Sequence, residues 1–365
     1  MYGFAPATLS CPGAADERLD WVLHIHPSIE RFIVNLKRKA GVALATAVLS
    51  VATILGTTGV ANAAVVNPLP WSLRVPSLLE DSNFPRAFAT SLIAPAKDPL
   101  GANDWSCKLT AAHPEPVILI HGTWENAYDN WNGLSPILKA QGYCVFALNY
   151  GNSTGVRQIN ATGDMVASAK EIAAFVTKVK TATKATKVAL IGHSQGGAQA
   201  RYVANLLLPK GLVDKVIAIT PTNHTTTLSG LTTLGDMLNL KQFGFAVLEA
   251  IKMPAAVQQA TPTAPFYVNV NGKGETIPGI DYTVTATKYD EIVTPYTQSF
   301  LKPAAGTTVD NITLQDVCAI DLSEHLSASY SKNVAQIILN KLDPAHPHKI
   351  LCYPQAPLIG GTGLI

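Results

Sequence analysis

The chain has 365 residues, of which 47% are hydrophobic and only 14% charged, against roughly a quarter charged in an average globular protein. Lys and Arg number 27 against 25 Asp and Glu, a formal charge of +2. That balance gives no basic excess of the kind nucleic-acid binding needs, and the length suits one large α/β domain.

The first feature in chain order is a leader. Lys37-Arg38-Lys39 is followed by no charged residue until Arg74. Residues 40–60 are small and apolar and run into Ala61-Asn62-Ala63. A basic stretch, an apolar stretch and an A-x-A site predict a secretory signal peptide, cleaved after Ala63. The competing reading is an uncleaved membrane anchor. Residues 1–36 are longer than an ordinary basic region, so a start codon placed too far upstream is expected. The catalytic domain is then 64–365, and the mature protein is secreted. Cys11 falls in the leader, which leaves Cys107, Cys144, Cys318 and Cys352. Four cysteines in an exported chain predict two disulfides. Of three pairings, Cys107–Cys144 and Cys318–Cys352 close the shortest loops; four buried thiols are the alternative.

Residues 64–112 are rich in Pro, Ser and Asn without clear periodicity and read as a segment wrapping the core. Short apolar runs then alternate with helical patterns. Strands are predicted at 116–120, 143–148, 187–191 and 215–219, with further candidates at 266–270 and 282–287. Helices are predicted at 163–180, 198–208 and 331–342. Such alternation implies a mostly parallel sheet covered by helices on both faces. Residues 222–265 interrupt it with an apolar cluster that includes Leu231, Leu234, Met237, Phe243 and Phe245. This insertion reads as a lid or acyl-chain wall, with an ordinary packing helix as the alternative.

The chemistry centres on Gly192-His193-Ser194-Gln195-Gly196, a G-x-S-x-G string. An apolar strand leads into it and a helix follows, the context of a nucleophile elbow, in which a tight turn holds the serine above the sheet edge. Ser194 is thus the predicted nucleophile. A serine hydroxyl needs a base, and in elbow folds the acid and then the histidine follow the serine. Among His224, His325, His346 and His348, only His325 precedes the closing helix with room for an acid before it. Asp290, just after the strand at 282–287, is the predicted acid; Glu291, Asp310, Asp316 and Asp321 are its rivals, Asp316 first because it ends a possible strand. Two backbone N–H groups, of Thr123 and Gln195, are predicted to form the oxyanion hole. His121 reads as a loop brace and His193 as a packing residue. No metal-ligand spacing, phosphate loop or dinucleotide fingerprint is present, so no cofactor and no metal are expected.

The segments His121-Gly122-Thr123-Trp124-Glu125-Asn126, Gly192–Gly197, Thr220-Pro221-Thr222-Asn223-His224, Tyr289-Asp290-Glu291-Ile292-Val293 and Asp321-Leu322-Ser323-Glu324-His325 resemble those of secreted actinobacterial triacylglycerol lipases and esterases. The likeness extends over 70–342. It implies an α/β-hydrolase fold, a Ser194–Asp290–His325 triad and an exported enzyme that acts on lipid or ester substrates, at a lipid–water interface. No stable protein partner is implied. A short-chain esterase and an acyltransferase to a cell-envelope acceptor are the alternatives.

Overall fold

The computed structural model describes residues 83–226 and 253–357. The chain divides into Met1–Ala61 and Asn62–Ile365, and every described residue belongs to the second unit. The leader, and residues 227–252 of the expected lid, lie outside the described residues. Among the described residues no helix is long and apolar enough to cross a membrane.

Six strands form one parallel sheet: β1 (Val117–Ile120), β2 (Val145–Leu148), β3 (Val188–His193), β4 (Val213–Ile219), β5 (Asp281–Ala286) and β6 (Val309–Thr313), in the order β2-β1-β3-β4-β5-β6. The four central strands are nearly or wholly buried along their length. A parallel strand covered on both faces must be apolar on both, so these strands read as continuous runs. Alternate side chains then divide between two cores. Ile118 and Ile120 join Phe146 beneath α4 (Met165–Thr183), while Val117 and Leu119 join Trp131 and Leu138 beneath α9 (Lys332–Leu342).

α4 buries Met165, Ser168, Ala169, Ile172, Val176 and Val179, one stripe at helical spacing. The Asp164 carboxylate accepts the Ala167 N–H at 2.8 Å and caps its start. Lys184, at φ 58°, ends it in the left-handed region. α9 is capped by Ser331, whose hydroxyl accepts from Asn333 and Val334 N–H. The remaining helices are α1 (Phe84–Ile93), α2 (Ala127–Trp131), α3 (Ser135–Ala140), α5 (Gln195–Tyr202), α6 (Pro254–Gln259), α7 (Pro265–Asn271) and α8 (Leu314–Val317). A π-helical turn at Val203–Leu207 continues α5.

Three expectations are corrected here. Residues 266–270 form most of helix α7, not a strand. Phe266, Tyr267 and Val270 are buried while Val268 is 54% exposed, a helical spacing; a strand would bury 266, 268 and 270 together. The short apolar run is ambiguous by periodicity alone, and Pro265 in the first turn decides for helix. The segment 64–112 also contains α1, whose only buried residues are Ala87 and Ser91, small side chains that leave a faint pattern. The possible strand before Asp316 ends at Thr313, and Asp316 itself lies in α8.

Disulfides join Cys107 to Cys144 and Cys318 to Cys352. The first ties the segment ahead of β1 to the entry of β2 across a separation of 37 residues. Closing a loop of that length restricts the unfolded chain. Replacing Cys107 and Cys144 together with Ser is expected to lower the unfolding free energy by about 3–4 kcal/mol, read from denaturant unfolding.

Candidate active site

β3 ends at His193 and α5 begins at Gln195, so the reversal falls on the single residue Ser194, at φ 53° and ψ −123°. A side chain there is strained, and the strain persists because its neighbours over-determine it. A Cβ on Gly192 would overlap the Gly196 carbonyl oxygen, and one on Gly196 would overlap the carbonyl oxygen of Ile120 in β1. Ser194 N–H donates to the Ile219 carbonyl at 2.9 Å, which fixes the turn to β4.

Two other segments deliver side chains to Ser194. Asp290 lies four residues beyond β5, and His325 lies in the loop ahead of α9. His325 Nε2 is 2.8 Å from Ser194 Oγ. His325 Nδ1 is 3.0 Å from both carboxylate oxygens of Asp290. Asp290 Oδ1 also accepts the N–H groups of Ile292 and Val293, at 2.9 and 2.7 Å, which hold the carboxylate in place. All three side chains are buried. Nδ1 faces an acceptor and so carries a hydrogen, which leaves Nε2 to accept from the serine hydroxyl. Burial pulls the His325 imidazole toward lower pKa. The Asp290 carboxylate opposes this first, then those of Glu125 and Glu291, and the net shift is upward from the ordinary histidine value.

Thr123 and Gln195 meet at the same place. Gln195 Nε2 donates to Thr123 Oγ1 at 2.9 Å and to the Ala161 carbonyl at 3.1 Å. Gln259 Nε2 donates to the same Thr123 Oγ1 at 2.8 Å. Within the described structure, neither the Thr123 nor the Gln195 backbone N–H is taken up by a hydrogen bond. The N-terminus of α5 adds a favourable field for negative charge.

The rival residues lie elsewhere. Asp310 pairs with Lys341, and Asp316 with Lys288 at 2.8 Å, both on the surface. Asp321 accepts from Ser323 N–H, Ser331 Oγ and Asn333 Nδ2, a bracing role for the loop ahead of α9. Glu291 is exposed, and its Oε2 accepts the His325 backbone N–H at 3.4 Å. His224 bridges the Gln298 carbonyl and Glu275, and His346 pairs with Asp343. His121 binds the Gly122 carbonyl at 2.8 Å and stacks on Tyr150; burial lowers its pKa to about 4, so it stays neutral. His193 departs from its expected packing role. It is fully buried but hydrogen-bonded at both ring nitrogens, to Glu125 and to the His325 carbonyl. Glu125 was not anticipated; its one sequence signal is its position just ahead of the Asn126–Asp129 capping box that starts α2 and turns it inward. Among the described residues, no three His, Cys, Asp or Glu side chains gather as a metal site.

A family model for class 2 lipases matches residues 114–325, more than half of the chain. The chain is 32% identical over 167 residues to a triacylglycerol lipase of Pseudarthrobacter phenanthrenivorans, a match covering 44% of this chain and 45% of that protein. It is also 32% identical over 167 residues to a triacylglycerol lipase of Burkholderia plantarii, covering 44% of this chain and 40% of that one. The chain thus spans less than half the length of the curated relatives it matches. Its structure is similar to a solved lipase of Bacillus licheniformis in mature form, with 16% identity and a TM-score of 0.46, covering 64% of this chain and 94% of that one.

The crowding at the turn gives a direct test. Gly196→Ala must push α5 away from β1 by the width of a methyl group. The expected outcome is loss of soluble, cooperatively melting protein. Gly155→Ala, where a Cβ meets nothing within 4 Å, is expected to cost no more than about 1–2 kcal/mol through its positive φ.

Proposed function

The chain belongs to the class 2 lipase family, and from that membership we propose that it is a serine-dependent carboxylic ester hydrolase. The observation that carries the reading is the unbroken hydrogen-bonded path from Asp290 through His325 to Ser194, with links of 3.0 and 2.8 Å. In the proposed reaction His325 Nε2 takes the Ser194 proton as Oγ attacks the ester carbonyl. Asp290 holds the ring in the required tautomer and stabilises the imidazolium. The Thr123 and Gln195 N–H groups receive the developing oxyanion. His325 then protonates the departing alcohol, and the acyl group stays on Ser194. A water deprotonated by His325 attacks the acyl-serine, and the carboxylic acid leaves as Oγ recovers its proton.

The substrate we propose is a lipid ester, in the first instance a triacylglycerol, the substrate named for both curated relatives. Exposed aromatic surface supports an apolar acyl chain: Trp124 follows Thr123 and is 43% exposed, and Tyr289 precedes Asp290 and is 48% exposed. Two disulfides and the leader-like residues 37–63 support export, with 64–365 as the working enzyme and 222–265 as its lid.

Hydrolysis of p-nitrophenyl esters from acetate to palmitate is expected to rise toward the longer chains. Ser194→Ala is expected to lower kcat by about 10^4-fold or more across the series. A maximum at acetate with steep decline would make the protein an esterase for soluble substrates. Full activity in Ser194→Ala would refute the serine mechanism itself.

The raised pKa of His325 sets a pH dependence. The imidazole must be neutral to accept the serine proton, and its carboxylate neighbours favour the charged form. Activity is therefore lost as pH falls through the folded-state value. The acid limb of kcat/KM, which reports the free enzyme, is expected to have its midpoint above the ordinary value of about 6.5. A midpoint below that value would contradict the electrostatics described here.

A further inference from the structure

Glu125 and His193 are buried beneath the site, and the reaction above uses neither. Glu125 lies two residues beyond Thr123, and His193 immediately precedes Ser194. The Glu125 carboxylate faces three donors. Its Oε2 accepts the Gly122 N–H at 2.9 Å and stands 3.0 Å from His193 Nδ1. Its Oε1 accepts from Asn130 Nδ2 at 3.1 Å. Across the ring, His193 Nε2 lies 2.8 Å from the His325 carbonyl oxygen.

The hydrogens follow from the partners. A carbonyl oxygen only accepts, so Nε2 carries a hydrogen. A hydrogen on Nδ1 would meet a carboxylate oxygen as acceptor 3.0 Å away. Asn130 Nδ2 is also 2.9 Å from Nδ1, but its two hydrogens have other acceptors, Glu125 Oε1 and Ser329 Oγ at 3.3 Å.

We propose that Glu125 and His193 form a second, buried acid–imidazole pair that shares a proton and clamps the Gly122–Thr123 turn to the backbone of His325. Its function rests on the ester-hydrolase reading above. Neither residue touches the reacting atoms, so both are positioning residues. The path runs from the Gly122 N–H through the carboxylate and the ring to the His325 carbonyl, directly under Ser194. Space there is already full: a Cβ on Gly122 would overlap the Glu125 carboxylate and lie 3.0 Å from Ser194 Cβ. The clamp fixes the distance between the oxyanion donor at Thr123 and the base at His325, two groups borne on unconnected loops. Both must stay in register with Ser194 while charge moves from its oxygen to the carbonyl oxygen. A displacement of about 1 Å in such a geometry costs about a hundredfold in rate.

Glu125→Gln keeps the side-chain size but presents an NH2 group to one of the three donors. With p-nitrophenyl butyrate, kcat is expected to fall about ten- to a hundredfold with KM within about twofold. Because the residues act as one unit, adding His193→Phe is expected to lower kcat no further than the worse single substitution. Wild-type kcat in Glu125→Gln, a higher KM at unchanged kcat, or losses that multiply would each overturn the proposal. Proton NMR gives a readout independent of turnover and of whether Glu125→Gln folds. The wild type is expected to show two strongly deshielded, exchange-protected imidazole protons. Asp290→Asn removes that of His325 and leaves that of His193. A single such signal, lost with Asp290, refutes the shared proton. A protein that shows both signals but hydrolyses no ester would overturn the ester-hydrolase reading and the functional role of the clamp, and leave only the shared proton standing.

Discussion

Ser194 faces the edge of the sheet only because the chain reverses within one residue between β3 and α5. That reversal needs α5 to start almost in contact with β1, which only a glycine at 196 allows, with Gly192 leaving room for the Gly196 carbonyl and Gly197 for Ala218 and Pro221. Everything else in the site is arranged around this fixed point. β4 holds the serine amide through Ile219. The turn after β1 approaches closely enough that Gly122 has no space for a side chain either. A parallel sheet suits the purpose because every strand ends at the same edge, so the loops after β1, β3 and β5 converge without long connections.

The second constraint is electrostatic. Buried carboxylates are costly unless each oxygen finds donors, and this region buries Asp290, Glu125, Asp129 and Asp321. Asp290 meets an imidazole and two backbone N–H groups. Glu125 meets an amide N–H, an asparagine and a second imidazole. Asp129 is held well above the usual carboxylate range, by burial first and by the nearby Glu125 next. On the other face of the site Arg201 is wholly buried in α5 and, among the described residues, hydrogen-bonds only to neutral acceptors, those of Asn223, Val270, Asn271 and Glu275 backbone or amide groups. Burial lowers its pKa to about 10, so it remains charged at neutral pH. Its fork ties the helix behind Ser194 to the loop after β4 and to the end of α7.

The parts of this arrangement that could be read from sequence are those with a local signature. The apolar runs at Val117–Ile120 and Val188–Ile191 state their burial directly, and the elbow glycines state the turn. His325 and Asp290 emerged from chain order and the position of flanking elements. Helix α7 reads as a strand in sequence because four apolar residues and Asn269 over 266–270 carry too little periodicity to separate helix from strand. β6 is legible only as a possible strand that runs too far, to Asp316, because an edge strand reading Val-Asp-Asn-Ile-Thr is polar and buries only Thr313. Glu125 and His193 show why the rest was hidden. A buried glutamate and a surface glutamate have the same letter, and 68 residues separate this pair in the chain. Only the folded topology turns them into neighbours.

The same topology accounts for the position of Thr123. Its hydroxyl oxygen receives amide hydrogens from Gln195, in α5, and from Gln259, at the end of α6. The Gln259 carbonyl in turn accepts the Thr226 N–H at 3.0 Å. The residues on either side of 227–252 are therefore joined to each other and to the turn after β1 by consecutive hydrogen bonds. With Glu125 holding Gly122, the turn is held on one side by a buried carboxylate and on the other by the side-chain amides of Gln195 and Gln259. A backbone N–H on a loop gains its precision from such bracing, since the loop backbone alone would leave it free to reorient. In this chain, two glutamines and one buried carboxylate supply what a regular element would otherwise provide.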